Sequence, residues 1–231
     1  MNEPRTQPRV KVTKNGPYLV SGGIPLARQT IVTDAAGESQ AWQQGEAIAT
    51  AETYALCRCG QSANKPFCDG THQKIGFDGR ETASRAPYAE QARVREGPAV
   101  ALSDARALCA GARFCDPNTT VWKQVARSGE PQVREMFIRQ VNHCPSGRLT
   151  AAALPAGEPV EHALPVSIGL VQDPAEGVSG PLWLRGGIPL IAADGFAYEV
   201  RNRVTLCRCG QSQNKPFCDG SHIAAGFSDS A

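Results

Sequence analysis

Nine cysteines fall into three groups of three, and this grouping constrains the chain more than any other feature: Cys57, Cys59, Cys68; then Cys109, Cys115, Cys144; then Cys207, Cys209, Cys218. An odd count argues against a closed disulfide framework. The opening MNEPRTQPRVKV has no apolar stretch of the kind an export signal needs, so a reducing, cytoplasmic setting is expected. The outer groups are embedded in a repeat. Residues 56–72 read LCRCGQSANKPFCDGTH and residues 206–222 read LCRCGQSQNKPFCDGSH, identical at fifteen of seventeen positions. Upstream, GPYLVSGGIPL at 16–26 matches GPLWLRGGIPL at 180–190, and the gap between the two blocks is fourteen residues longer in the first copy. The insertion is expected within 35–51. Two copies of this size mean duplication rather than a solenoid.

Each outer cluster runs Cys, one residue, Cys, eight residues, Cys, three residues, His. The candidate ligands are Cys57, Cys59, Cys68 and His72, with Cys207, Cys209, Cys218 and His222. Thiolate and imidazole suit zinc and iron–sulfur centres. Structural zinc sites usually leave two to four residues between paired cysteines. A single intervening residue fits that knuckle poorly, but it can place two thiolates on one iron of a diiron cluster. Cys68 and His72 then serve the other iron. Gly60 and Gly70 permit positive φ at a crowded site, and Pro66 stiffens the loop before the third cysteine. Asp69 is expected to cap a short helix carrying His72. Arg58, Lys65, Arg208 and Lys215 read as solvated cations, with tuning of a potential or partner docking as the alternative.

These motifs, CDGTH at 68–72 and CDGSH at 218–222 with their upstream C-x-C pairs, resemble the mitoNEET-type CDGSH iron–sulfur family. Inside the five-residue motif only Thr71 departs, and it keeps the hydroxyl. The resemblance implies a [2Fe–2S] cluster at each site, held by three Cys and one His. It also implies a β-cap fold in which two CDGSH units associate about a twofold axis, here within one chain as an intramolecular pseudo-dimer. One imidazole among thiolates makes the cluster less negative, so the potential should lie between all-Cys and Rieske values, near ~0 mV. A protonatable ligand also predicts a potential that falls with rising pH and a cluster lost faster in acid.

Residues 87–160 carry no copy of the repeat. Ala105, Leu108, Cys109 and Ala112 have helical spacing and predict a helix within 103–117, capped by Ser103 or Asp104. A second helix is expected from Thr119, and a third from Pro131, with Val133, Met136, Phe137 and Val141 on one face. That third helix runs into Cys144-Pro145. The order Cys109, Ala112, Cys115 and then a remote Cys-Pro resembles a divergent single-cluster ferredoxin domain whose central cysteine is missing. Three cysteines, Cys109, Cys115 and Cys144, suit a [3Fe–4S] cluster. The alternatives are a [4Fe–4S] cluster with one iron on water or on His143, and no cluster at all. His143 is expected to be exposed at a helix end, His162 on a loop surface, and 155–165 a linker. Trp122 and Met136-Phe137 are expected in the core. The N-terminal dozen residues are expected to be mobile or an ordered arm.

The expected architecture is therefore α+β. It has a first CDGSH unit over 1–86, an α-rich ferredoxin-like domain over 87–160 and a second CDGSH unit over 161–231. Lys plus Arg total 24 and Asp plus Glu total 22, so no polyelectrolyte footprint argues for nucleic acid. No apolar run is long enough for a membrane span. No G-x-G-x-x-G after a strand, P-loop or G-x-S-x-G elbow is present, so no enzymatic activity is expected. The leading expectation is an electron-transfer protein acting with a protein redox partner, monomeric with an internal pseudo-twofold. A cluster donor to an apo iron–sulfur acceptor, or a redox or iron sensor, is the second reading. A zinc-bound interaction module is the third.

Overall fold

The short apolar alternation after Gly16-Pro17 folds as a strand because one face can be buried: Tyr18 and Val20 are buried, while Leu19 between them is exposed. The computed structural model describes residues 6–229. The first unit contains β1 (Arg9–Val12), β2 (Tyr18–Ser21), β3 (Leu26–Thr33), β4 (Ser39–Ile48), β5 (Thr53–Leu56) and the one-turn helix α1 (Thr71–Lys74). Part of the N-terminal dozen, residues 1–5, lies outside the described residues. The rest includes β1, an ordered strand with Val10 and Val12 buried.

The middle segment holds α2 (Tyr88–Gln91), β6 (Arg93–Glu96), β7 (Val100–Asp104), α3 (Val121–Gln124), α4 (Pro131–His143), β8 (Leu149–Ala153) and β9 (Glu158–Pro159). The second unit holds β10 (Ser167–Asp173), β11 (Val178–Arg185), β12 (Leu190–Ile191), β13 (Arg203–Leu206) and the one-turn helix α5 (Ser221–Ala224).

The two units exchange strands. One sheet has the order β12-β1-β2-β5 and the other β13-β11-β10-β3-β4. β12 pairs in parallel with β1, setting Leu190 opposite Val10, and β3 pairs in parallel with β10, setting Leu26 opposite Ile168. Each sheet is thus completed by a strand from the other copy, related by a pseudo-twofold. A single apolar core joins Val12, Tyr18, Leu26 and Leu56 to Ile168, Leu182, Leu190 and Leu206. The insertion in the first copy is the β3–β4 hairpin, where the second copy has only the two-residue β12 and a tight turn.

The middle segment carries its helices on a four-stranded antiparallel sheet, β6-β7-β8-β9. Pro131 opens α4 at its first turn, as expected, and Phe137 and Val141 bury against Val100, Leu102, Leu149 and Ala151. α3 begins one residue after Thr120. The helix expected within 103–117 does not form. Its first residues are the end of β7, paired on both edges; a single 3-10 turn at Arg106–Leu108 comes next, and then a loop. Asp104 does not cap a helix; it accepts from the Trp122 indole and from Arg148. Left-handed backbone at Gly111 (φ 72°) and Arg113 (φ 59°) then makes a continuous helix impossible. No helix among the described residues is long and apolar enough to cross a membrane.

Candidate metal centres

β5 ends at Leu56 and delivers Cys57 and Cys59 into a loop that folds back along the strand. The Cys57 amide donates to Pro66 O at 2.8 Å, and the Cys68 amide to Ala55 O at 2.9 Å. Buried Ser62 pins the loop through Phe67 O at 2.6 Å. Asp69 accepts from the Thr71 amide at 2.9 Å and the Ala63 amide at 2.8 Å, which lowers its pKa, Thr71 contributing most. The expected cap is therefore displaced by one residue: Gly70, at φ 87°, occupies the N-cap of α1, and Asp69 reaches over it. The second site repeats each contact. Cys207 N donates to Pro216 O, Cys218 N to Thr205 O, and Ser212 Oγ to Phe217 O. At Asp219 burial works against ionisation, but hydrogen bonds from Ser221 and Gln213 outweigh it and lower the pKa.

The four expected donors of each copy converge as two pairs. Cys57 Sγ lies 3.7 Å from Cys59 Sγ, and Cys68 Sγ lies 3.3 Å from His72 Nδ1. The second copy gives 3.7 Å for Cys207–Cys209 and 3.5 Å for Cys218–His222 Nδ1. Tetrahedral metal with bonds of about 2.3 Å to sulfur and 2.0 Å to nitrogen sets its ligands about 3.8 Å (S···S) and 3.5 Å (S···N) apart. Each pair therefore fits one metal. Among the described residues no three Cys, His, Asp or Glu side chains converge on a point suited to a single ion. The backbone N–H of Gly70 faces Cys68 Sγ, and that of Gly220 faces Cys218 Sγ, each at 3.5 Å.

The electrostatics favour a cationic occupant. Burial, together with Cys57, pushes the Cys59 thiol up to about 11, and burial also raises Cys218. Burial, reinforced by Arg208, lowers His222 to about 4, keeping its imidazole neutral near pH 7. Among the thiols, the hydrogen bond from Cys209 draws Cys207 the other way, down to about 6. A neutral imidazole beside one readily ionised thiol and neighbours that burial holds protonated is a donor set completed by metal charge. The two copies differ in exposure: Cys207, Cys209, Cys218 and His222 are all buried, whereas Cys68 and His72 are only half-buried.

Arg58 and Arg208 are not the solvated cations expected; they are 1% and 3% exposed. Arg58 donates to the carbonyls of Gly16, Gly79 and Thr13. Arg208 donates to Gly180 O and Val171 O and pairs with Asp229. Asp229 stands where the first copy has Gly79. These buried arginines knit the C-x-C loop to neighbouring strands, and their position between two ligands is the sole hint of this in the sequence. Lys65 and Lys215 each reach a nearby serine carbonyl, of Ser62 and Ser212.

The sites abut. A Cβ on Gly60 would collide with the Cys209 carbonyl, and one on Gly210 would lie 2.5 Å from the Cys59 carbonyl. These reciprocal glycines, both at positive φ, set the two C-x-C loops back to back. Cys109, Cys115 and Cys144 line one small cavity with Gly111, Pro145 and Arg148. Burial pushes Cys115 up to about 12. A Cβ on Gly220 would sit 3.7 Å from Cys109 O, so this cavity borders the second outer site. His143 is not exposed at its helix end. It is half-buried, packs edge-on to Phe114 at 5.2 Å and lines a different cleft. His162 is exposed, as expected.

Residues 15–73 and 179–223 match the family model described as iron-binding zinc finger, CDGSH type, and residues 95–153 match that described as divergent 4Fe-4S mono-cluster. No curated protein and no solved structure matches the chain. With the repeated donor set, its paired geometry and the cysteine-lined cavity between, both repeats are similar to the CDGSH iron-binding family and the segment between them to the divergent 4Fe-4S mono-cluster family.

Proposed function

We propose that the chain is an electron-transfer protein. It holds one [2Fe–2S] cluster on Cys57, Cys59, Cys68 and His72, a second on Cys207, Cys209, Cys218 and His222, and a [3Fe–4S] cluster on Cys109, Cys115 and Cys144. The observation that carries this reading is contiguity: the reciprocal seating of Gly60 and Gly210 and the contact of Gly220 with the Cys109 loop place three donor sets side by side. Adjacent sites support a relay rather than isolated structural metals. The paired donors support two metals per outer site. At the middle site three thiols suit one per iron. The family described as 4Fe-4S supports the alternative of a fourth iron on water, and His143 lines another cleft. When bound, the clusters supply reversible one-electron storage. The protein's own residues hold, shield and space them. No reaction is assigned to the chain itself; electrons pass to or from a protein partner, in a cytoplasmic setting.

The test is purification without oxygen, followed by iron, zinc and acid-labile sulfide analysis and EPR. About seven iron and eight sulfide per chain, without zinc, is the expected result. An EPR signal in the oxidised state should report the three-iron centre. About four iron, with signals only on reduction, would leave a two-cluster carrier with an empty middle domain. Stoichiometric zinc would overturn the reading.

The half-exposure of Cys68 and His72 favours a second role, as donor of the first cluster to an apo acceptor or as a sensor. Rapid transfer to apo-ferredoxin supports that role. Retention through repeated redox cycles supports electron transfer.

A further inference from the structure

Arg185, at the end of β11, is only 9% exposed, yet its side chain makes no hydrogen bond or ion pair among the described residues. Burial lowers its pKa, but a guanidinium stays charged in a folded protein. A buried cation without a counter-ion is an unfavourable arrangement, and an anion relieves it. Beside it, the indole N–H of Trp183 is also buried without an acceptor. The guanidinium lies 5.0 Å from the Trp183 ring centroid.

Both residues line a cleft of about 310 Å³ to which all three parts of the chain contribute. The β3–β4 hairpin brings Trp42, whose ring stands 4.7 Å from that of Trp183. The end of α4 brings His143, whose carbonyl accepts from the Trp42 indole at 3.0 Å, and the segment before β10 brings His162 and Leu164. Among the described residues no carboxylate lines the cleft. Arg203, also at its wall, is already answered by Glu161 at 2.6 Å. One cation without a carboxylate partner therefore faces two indoles and Leu164, in walls completed by the amides of Gln29, Gln44 and Asn142 and by His143 and His162.

We propose that this cleft binds a small organic monocarboxylate with an apolar body, its carboxylate on Arg185 and its body against Trp42, Trp183 and Leu164. One free guanidinium matches one negative charge, and its planar fork suits a carboxylate. The volume and the two indoles exceed what an inorganic oxoanion needs and fit an apolar body. The site is independent of the cluster assignments.

The experiment is calorimetric titration of the intact, metal-loaded chain with benzoate, acetate and inorganic phosphate. Visible absorption of every variant checks that the metal centres are unchanged. Benzoate should bind one per chain and acetate more weakly. Arg185→Gln should weaken benzoate by roughly tenfold or more, as loss of a charged hydrogen-bond partner does. Trp42→Leu should weaken benzoate and leave acetate unchanged. Absence of saturable benzoate binding overturns the proposal, as does unaltered affinity in Arg185→Gln. Phosphate binding in preference to benzoate overturns the carboxylate assignment. Should Arg185→Gln fail to fold, unaltered benzoate affinity in Trp42→Leu overturns the proposal by itself.

Discussion

Single residues set the tolerances of the outer sites. Gly60 and Gly210 each combine positive φ with backbone contact to the opposite site. Gly60→Ala therefore adds backbone strain of about 1–3 kcal/mol and a collision that no side-chain rotation relieves. It should lower the thermal midpoint and the iron content, both measurable on the purified variant. Asp229 makes a second residue-scale prediction. Burial works against its ionisation, but Arg208 and the hydrogen bonds from Ser179 and Gln172 hold its pKa at about 2. An unfolded Asp titrates near 3.9. The depressed folded value means this contribution is present above about pH 4 and is lost as pH falls toward about 2. Asp229→Asn leaves Arg208 buried and unpaired, at a cost of about 3–5 kcal/mol near neutral pH. Denaturant unfolding at pH 7 and pH 3 should show the difference between variant and parent shrinking in acid. The convergence of the candidate donors was legible residue by residue, because their spacing is local and repeated. The burial of Arg58 and Arg208 was not legible, since arginine is seldom buried and its carbonyl partners lie on distant segments.

At the scale of elements, the exchanged strands matter most. β3 carries Leu26 and Ile31 into the sheet of the second unit. Leu26→Ala should cost about 2–5 kcal/mol, and it should disturb the second site as well as the first, visible as loss of both clusters' absorption together. The strands themselves were readable from alternation and Gly-Pro boundaries. Their partners were not, because parallel pairing of β1 with β12 and of β3 with β10 is a long-range choice that local pattern does not encode. The middle segment went the other way. Ala105, Leu108, Cys109 and Ala112 have helical spacing, but β7 is claimed by pairing on both edges and Gly111 turns the chain. Tertiary pairing overrode local period there. α4 was read correctly because thirteen residues of amphipathic pattern begin at a proline suited to a first turn.

The whole molecule is a duplicated pair that cannot be divided at the repeat. The sheet containing β10, β11 and β13 needs β3, so residues 161–231 expressed alone should not give a folded, coloured protein; amide dispersion in an NMR spectrum would test this. The duplication also frees the copies from identity. Arg58 is bound by three neutral carbonyls, whereas Arg208 is answered by a carboxylate, and the first site is the more exposed. An uncompensated positive charge and better access to water both stabilise the reduced, more negative state of a cluster. A redox titration should therefore resolve separate waves for the two outer sites, the first site being reduced at the higher potential, and Asp229→Asn should draw those two waves together. Two identical chains around a true axis offer equal steps to an electron. On the proposed electron-transfer reading, one chain carrying both copies would build a slope, with the electron coming to rest on the side that faces solvent.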